Sequence, residues 1–139
     1  MKKNVEIWIV DDDEFFQMIT IENLRRTKQN FHVKTFFEGH TPSNLLSTLQ
    51  ATPQNIPDII LLDLNMPVFD GWMFLKEYAK LDENIRKQMR VVICSSSIDP
   101  ADIHKVRSIK DVAALYEKPL SVQRLLEIFQ LLTGNQNTE

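Results

Sequence analysis

The chain has 139 residues, 43% of them hydrophobic and 25% charged, with a formal net charge of −3 and an isoelectric point near 5.6. This is the profile of one soluble globular domain, long enough to bury roughly 70% of its unfolded surface. The acidic balance excludes a protein built mainly to grip nucleic acid, and the single cysteine, Cys94, excludes an intramolecular disulfide and favours a reducing compartment.

Val5 to Val10 is the first predicted strand, and it runs into Asp11-Asp12-Asp13-Glu14. Glu6 interrupts this run, which is too short for a signal peptide or a membrane span, so a cytoplasmic location with no membrane contact is expected. A helix follows, capped by Asp13, with Phe16, Ile19 and Leu24 on its apolar face and Asn23 a less apolar spot. Phe31 to Phe37 alternates Phe31, Val33, Thr35 and Phe37 against His32, Lys34 and Phe36, which predicts a partly exposed strand. Thr41-Pro42 opens a second helix, with threonine as cap, Leu45, Leu46 and Leu49 buried, and Thr52-Pro53 closing it.

The next stretch, Ile59-Ile60-Leu61-Leu62-Asp63, is an unbroken apolar run ending in a carboxylate, as expected of a strand buried on both faces of a parallel sheet. Pro67 keeps Met66 out of helical angles, so Asn65-Met66-Pro67 turns away from the sheet. Asp70-Gly71 then caps a helix from Trp72 to Leu81. Val91 to Cys94 is a fourth strand ending in Ser95-Ser96-Ser97, and Asp99-Pro100 opens the fourth helix. Val112 to Tyr116 is the last strand, followed by Glu117-Lys118-Pro119. Ser121 caps a final helix with Val122, Leu125, Leu126, Phe129 and Leu132 on one face, Gly134 just past its end, and a polar tail to Glu139. Strands and helices alternate five times without a linker, so the predicted fold is α/β: a doubly wound five-stranded parallel sheet in the order 2-1-3-4-5, flavodoxin-like, in a single domain over 1–139 with its core at 5–133.

Polar residues interrupt these strands at one repeated place. Asp11 and Asp12 end the first, Asp63 the third, Ser95 the fourth and Lys118 the fifth. In a parallel sheet those ends share an edge, the edge where doubly wound folds keep their ligands. Carboxylates gathered there repel, by about 4 kcal/mol per pair at ~4 Å and an effective dielectric near 20. A divalent cation, the Lys118 ammonium or both must offset this. All-oxygen ligands suit Mg2+, or Mn2+ in its place. A carboxylate so placed, faced by a lysine and a hydroxyl, can act as a nucleophile toward phosphorus. With three glycines in the chain there is no phosphate-cradling loop, so the phosphoryl donor must come from outside. His32, His40 and His104 are scattered singly and are expected at the surface.

Over residues 5 to 133 the chain resembles the response-regulator receiver domain of two-component signalling. The resemblance rests on Asp63-x-x-Met66-Pro67-x-x-Asp70-Gly71 together with Asp11-Asp12 and Lys118-Pro119, in that order and spacing. It implies that Asp63 is the phospho-acceptor, loaded from a phosphohistidine on a sensor histidine kinase or histidine phosphotransfer protein. It implies that Asp12, Asp63 and the Asn65 carbonyl ligate Mg2+, with Asp11 acting through a water. By the same likeness Ser95 is the switch hydroxyl, Lys118 pairs with the phosphoryl group, Lys118-Pro119 is cis, and Asn65 and Ser97 tune the lifetime of the modified state. The family's switch aromatic lies three residues before the lysine. Here that place holds Leu115, with Tyr116 one later, so either can be the switch residue.

The expectation is therefore a stand-alone signalling receiver rather than an enzyme, although it assists its own phosphorylation and dephosphorylation. It would be a monomer or a phosphorylation-dependent dimer, docking an unidentified target through its fourth helix, last strand and last helix. The rivals are a small Asp-nucleophile phosphatase and a phosphorylation-independent scaffold. Against the phosphatase, position 65 is Asn rather than a second acid, and no insertion is long enough for a substrate cap.

Overall fold

The computed structural model describes residues 4–133, so the Gly134 cap and the polar tail lie outside the described residues. Strands β1 (Val5–Val10), β2 (Phe31–Phe36), β3 (Ile59–Asp63), β4 (Arg90–Ser95) and β5 (Val112–Glu117) form one sheet in the order β2-β1-β3-β4-β5. Every neighbouring pair is parallel, as the alternation of elements requires. The helices are α1 (Glu14–Arg26), α2 (His40–Leu49), α3 (Gly71–Tyr78), α4 (Glu83–Arg86), α5 (Pro100–Arg107) and α6 (Val122–Gln130). None of the described helices is long and apolar enough to cross a membrane.

Successive strand residues point to opposite faces, and each face has its own core. Trp8, Val10, Ile60, Leu62, Val91 and Ile93 pack with Leu46, Phe74, Leu75 and Val106 from α2, α3 and α5. Ile7, Ile9, Ile59, Leu61, Val92 and Cys94 pack with Phe16, Leu24, Leu125 and Ile128 from α1 and α6. The run Ile59–Asp63 is buried at every position because it faces helices on both sides. Asp13, Asp70, Asp99 and Ser121 cap α1, α3, α5 and α6 with their side chains, each as its sequence signal indicates.

Several local expectations are corrected. Phe36, not Phe37, is the buried ring at the end of β2; it packs on Trp8 while Phe37 lies exposed past the strand. The buried stripe of α1 is Phe16, Gln17, Thr20 and Leu24, and Ile19 is only half-buried. The helix expected from Trp72 to Leu81 ends at Tyr78, and a separate turn, α4, follows it with Asp82 accepting from the Asn84 N–H. Ile85 and Met89 tuck that segment into the core.

Thr41 does not cap α2. The helix begins two residues earlier, at His40, and the Glu38 carboxylate accepts from the backbone N–H groups of His40 at 2.7 Å and Thr41 at 3.0 Å. Gly39 occupies the cap position because a Cβ there would come within 2.7 Å of the Phe69 carbonyl. Hydrogen bonds from Thr41 and His40 outweigh burial and lower the Glu38 pKa from its ordinary 4.5. A lowered carboxylate stabilises the fold above its unfolded pKa, and that contribution disappears as pH falls through the folded value. Glu38→Ala is expected to cost about 0.5–1 kcal/mol at neutral pH, the low end for a cap because the group is exposed. The difference from the unsubstituted protein in urea unfolding should shrink as pH drops below 4.5.

Candidate functional site

Parallel pairing delivers the predicted residues to one edge. Asp11 follows β1 directly, Asp63 and Ser95 are the last residues of β3 and β4, and Lys118 follows β5 directly. Register places Asp63 beside Cys94, and Ser95 beside Glu117, so the acid, the hydroxyl and the lysine come from adjoining strands. The Lys118 Nζ lies 2.7 Å from Asp11 Oδ2 and 3.6 Å from Asp63 Oδ2. Its backbone N–H donates to the Ser95 carbonyl at 2.8 Å, tying β5 to β4 where the lysine leaves the sheet. The Phe16 ring lies 4.5 Å from the same ammonium and screens it from water on the α1 side. The Lys118-Pro119 peptide bond is cis.

Asp11, Asp12 and Asp63 offer carboxylate oxygens that all lie within 4.8 Å of one another. Asp11 and Asp63 are buried and Asp12 is exposed, so the group opens to solvent on one side. Asp11 Oδ1 accepts from the Asp13 N–H at 2.9 Å, and Asp63 Oδ1 from the Asn65 N–H at 3.2 Å. Burial pushes the Asp11 carboxyl up to about 6, against the pull of Lys118. Burial also raises Asp63, only partly countered by the ammonium and the Asn65 N–H. For Lys118, burial works to lower the pKa, but the bond to Asp11 and the two facing carboxylates win and raise it. Three acids against one ammonium leave the cluster short of positive charge. An open, all-oxygen donor set of this kind fits a hard divalent cation such as Mg2+.

The loop after Asp63 is shaped by close backbone contact. The Gly71 N–H donates to the Leu64 carbonyl at 3.0 Å, pressing the start of α3 against the end of β3. Between them, the Phe69 N–H donates to the Pro67 carbonyl at 2.7 Å across Val68, whose φ is +67°. A three-residue turn with positive φ at its centre is the strained form, and a β-branched residue there is a genuine outlier.

Some predicted residues stand apart from the cluster. The Ser95 hydroxyl donates to the Ser97 carbonyl at 2.9 Å, within its own loop. Asn65 is exposed and meets the site through its backbone N–H. Leu115 pairs with Ile93 and packs on the α2, α3 and α5 face, whereas Tyr116 pairs with Cys94 on the α1 and α6 face. There the Tyr116 hydroxyl reaches Glu127 Oε1 at 3.4 Å, and the Arg124 guanidinium lies over its ring. Sequence reasoning missed Phe16 as the lysine's aromatic neighbour and Gln17 as a buried amide behind Asp11. The signal for Gln17 was a long polar side chain on the apolar stripe of α1, one turn from its cap.

The family model of the response regulator receiver domain matches residues 7–130. Sporulation initiation phosphotransferase F of Bacillus subtilis (strain 168) is 27% identical over 124 residues, spanning 88% of this chain and 88% of that protein. Chemotaxis protein CheY of the same organism is 31% identical over 90 residues, spanning 65% of this chain and 66% of that protein. Among solved structures, a two-component response regulator from Cytophaga hutchinsonii superposes with a TM-score of 0.87 at 25% identity, covering 96% of this chain and 100% of that one. A response regulator receiver protein from Dyadobacter fermentans DSM 18053 gives 0.78 at 28% identity, covering 94% and 99%. With the family model matched across all five strands and the acids and lysine gathered where they end, the chain belongs to the response regulator receiver domain family of two-component signalling.

Proposed function

We propose that Asp63 accepts a phosphoryl group from a phosphohistidine, on a sensor histidine kinase or a histidine phosphotransfer protein, in a Mg2+-dependent reaction that switches partner binding. The observation that carries this reading is the Lys118 ammonium standing between Asp11 and Asp63, 2.7 and 3.6 Å away, at the shared end of the strands. An Asp63 carboxylate oxygen attacks phosphorus, the new O–P bond replaces the donor's N–P bond, and the imidazole leaves with its electron pair to be reprotonated. Oδ1 is steadied by the Asn65 N–H while Oδ2 faces the lysine. Lys118 neutralises a phosphoryl oxygen, and Ser95, by turning from the Ser97 carbonyl, donates to another. Asp11, Asp12, Asp63 and the Asn65 carbonyl would hold Mg2+ (or Mn2+), which when bound supplies positive charge against the phosphoryl oxygens.

The hydroxyl's movement is read on its own face of the sheet. Strand alternation puts Ser95 on the side of Ile93, and Leu115 pairs with Ile93 there. Leu115 is therefore the switch residue of this reading, and Tyr116, turned to α6, is not. The partner would dock on α5, β5 and α6 of a cytoplasmic receiver domain, monomeric or dimerising when phosphorylated.

Incubation with Mg2+ and acetyl phosphate tests the reading. A single hydroxylamine-labile phosphoryl group should appear, and Asp63→Asn should abolish it. Many turnovers would indicate a phosphatase and no modification a scaffold, while labelling that survives the substitution would place the acceptor elsewhere.

A further inference from the structure

Gln17 lies on α1 with its side chain turned inward, 2% exposed. Its Nε2 amide reaches the backbone carbonyls of Phe36 at 2.9 Å, Asp11 at 3.1 Å and Ile9 at 3.3 Å. Phe36 ends β2 and Asp11 follows β1, so their carbonyls lie where the sheet's own ladder gives out, just past the still-paired Ile9. The Asp11 N–H is already fixed, donating to the Phe36 carbonyl at 3.0 Å. Gln17 holds the other side of the same residue, so Asp11 is gripped at both its N–H and its C=O. The Asp11 carbonyl belongs to the peptide unit that joins it to Asp12, and fixing that unit fixes how both acids are presented.

The amide has one workable orientation, because a flip would set Oε1 against three carbonyl oxygens. In the observed orientation Oε1 is buried without a partner, as is the Thr20 hydroxyl one turn along the same stripe. Buried unpaired acceptors are rare and call for an explanation. A leucine or methionine at 17 would bury apolar surface without an orphaned oxygen. What glutamine adds is a pair of N–H donors aimed at the backbone that carries the acids.

We propose that Gln17 is a positioning residue: its amide clamps the Asp11–Asp12 peptide so that both carboxylates are preset for a divalent cation. This rests on the Mg2+-dependent reading of the site. Backing groups behind metal ligands act on affinity before they act on folding. Gln17→Met keeps length and volume and removes both donors. Thr20→Val removes a buried polar group one turn away that touches none of these carbonyls, and so controls for a change in α1 packing.

Mg2+ is titrated by calorimetry into each full-length protein in the absence of any phosphodonor, and thermal midpoints are recorded alongside. The dissociation constant of Gln17→Met should rise ~10-fold while Thr20→Val stays at the unsubstituted value, at similar thermal midpoints. With acetyl phosphate, the Gln17→Met defect should narrow as Mg2+ is raised to saturation. Equal Mg2+ affinity in Gln17→Met and the unsubstituted protein, or equal weakening in Thr20→Val, overturns the proposal. If Gln17→Met fails to fold, Gln17→Asn, whose amide is one methylene too short to reach the carbonyls, is judged by the same two comparisons. Failure of the unsubstituted protein to bind Mg2+ would instead overturn the reading beneath it.

Discussion

Lys118→Met should lower the unfolding free energy of the metal-free protein by about 2–4 kcal/mol, measured in urea at neutral pH. Removing one partner from a buried charge cluster typically costs about 3–5 kcal/mol, because the remaining charges stay buried without a counter-ion. Here two carboxylates lose the same ammonium, which argues for the upper part of that range. The loss is moderated because the Asp11 carboxyl, already pushed up to about 6 by burial, can shed its charge by taking a proton. Mg2+ should then stabilise the substituted protein more than the original, since a cation among the same acids replaces the missing charge. Phosphoryl uptake should fall ~100-fold, the scale for removing one preset electrostatic donor. Unchanged stability would show that Lys118 is not the counter-charge that the geometry makes it.

The second large effect falls on a residue with no side chain. Gly71→Ala places a methyl group 2.5 Å from the Asp63 carbonyl oxygen and 2.7 Å from the Leu64 Cα. Both are backbone atoms of or next to β3, so neither can step aside as a flexible side chain would. Alanine is the better helix former by about 1 kcal/mol, and at an open first turn it would stabilise α3. Overpacking of typically about 1–3 kcal/mol or more wins at this contact, so a net loss near 2 kcal/mol is expected. Displacement of the Asp63 backbone should also slow phosphoryl uptake by more than the unfolded fraction explains, since ~1 Å of misplacement can cost ~100-fold. Assays well below the thermal midpoint separate the two effects. Unimpaired uptake there would mean that α3 yields instead of the strand.

What could be read in the sequence follows from which signals are local. Continuous apolar runs at Ile59–Leu62 and Val91–Cys94 can satisfy burial on both faces only as central parallel strands, so sheet order and the common edge were legible. The residues at strand ends followed, because a parallel sheet leaves no freedom about which edge they share. Side chains acting on distant backbone were not legible. Glu38 caps α2 because Phe69, from another loop, requires glycine at 39. Phe36 is buried rather than Phe37 because Trp8 waits for it on the neighbouring strand. Gln17 reads as a flaw in an amphipathic stripe until the carbonyls of Ile9, Asp11 and Phe36 are seen to converge on it. The faces that Leu115 and Tyr116 take turned on register, since one pairs with Ile93 and the other with Cys94.

Lys118 follows the last strand, whereas the acids it faces lie at the ends of the first and third. During synthesis Asp11, Asp12 and Asp63 therefore emerge from the ribosome well before the amine that relieves their repulsion. A chain halted ahead of β5 carries the acidic half of the site without its answering charge. Neutralisation waits on the final non-local pairing of the sheet, the kind of contact that forms slowly, so the acids keep their repulsion until the sheet is complete.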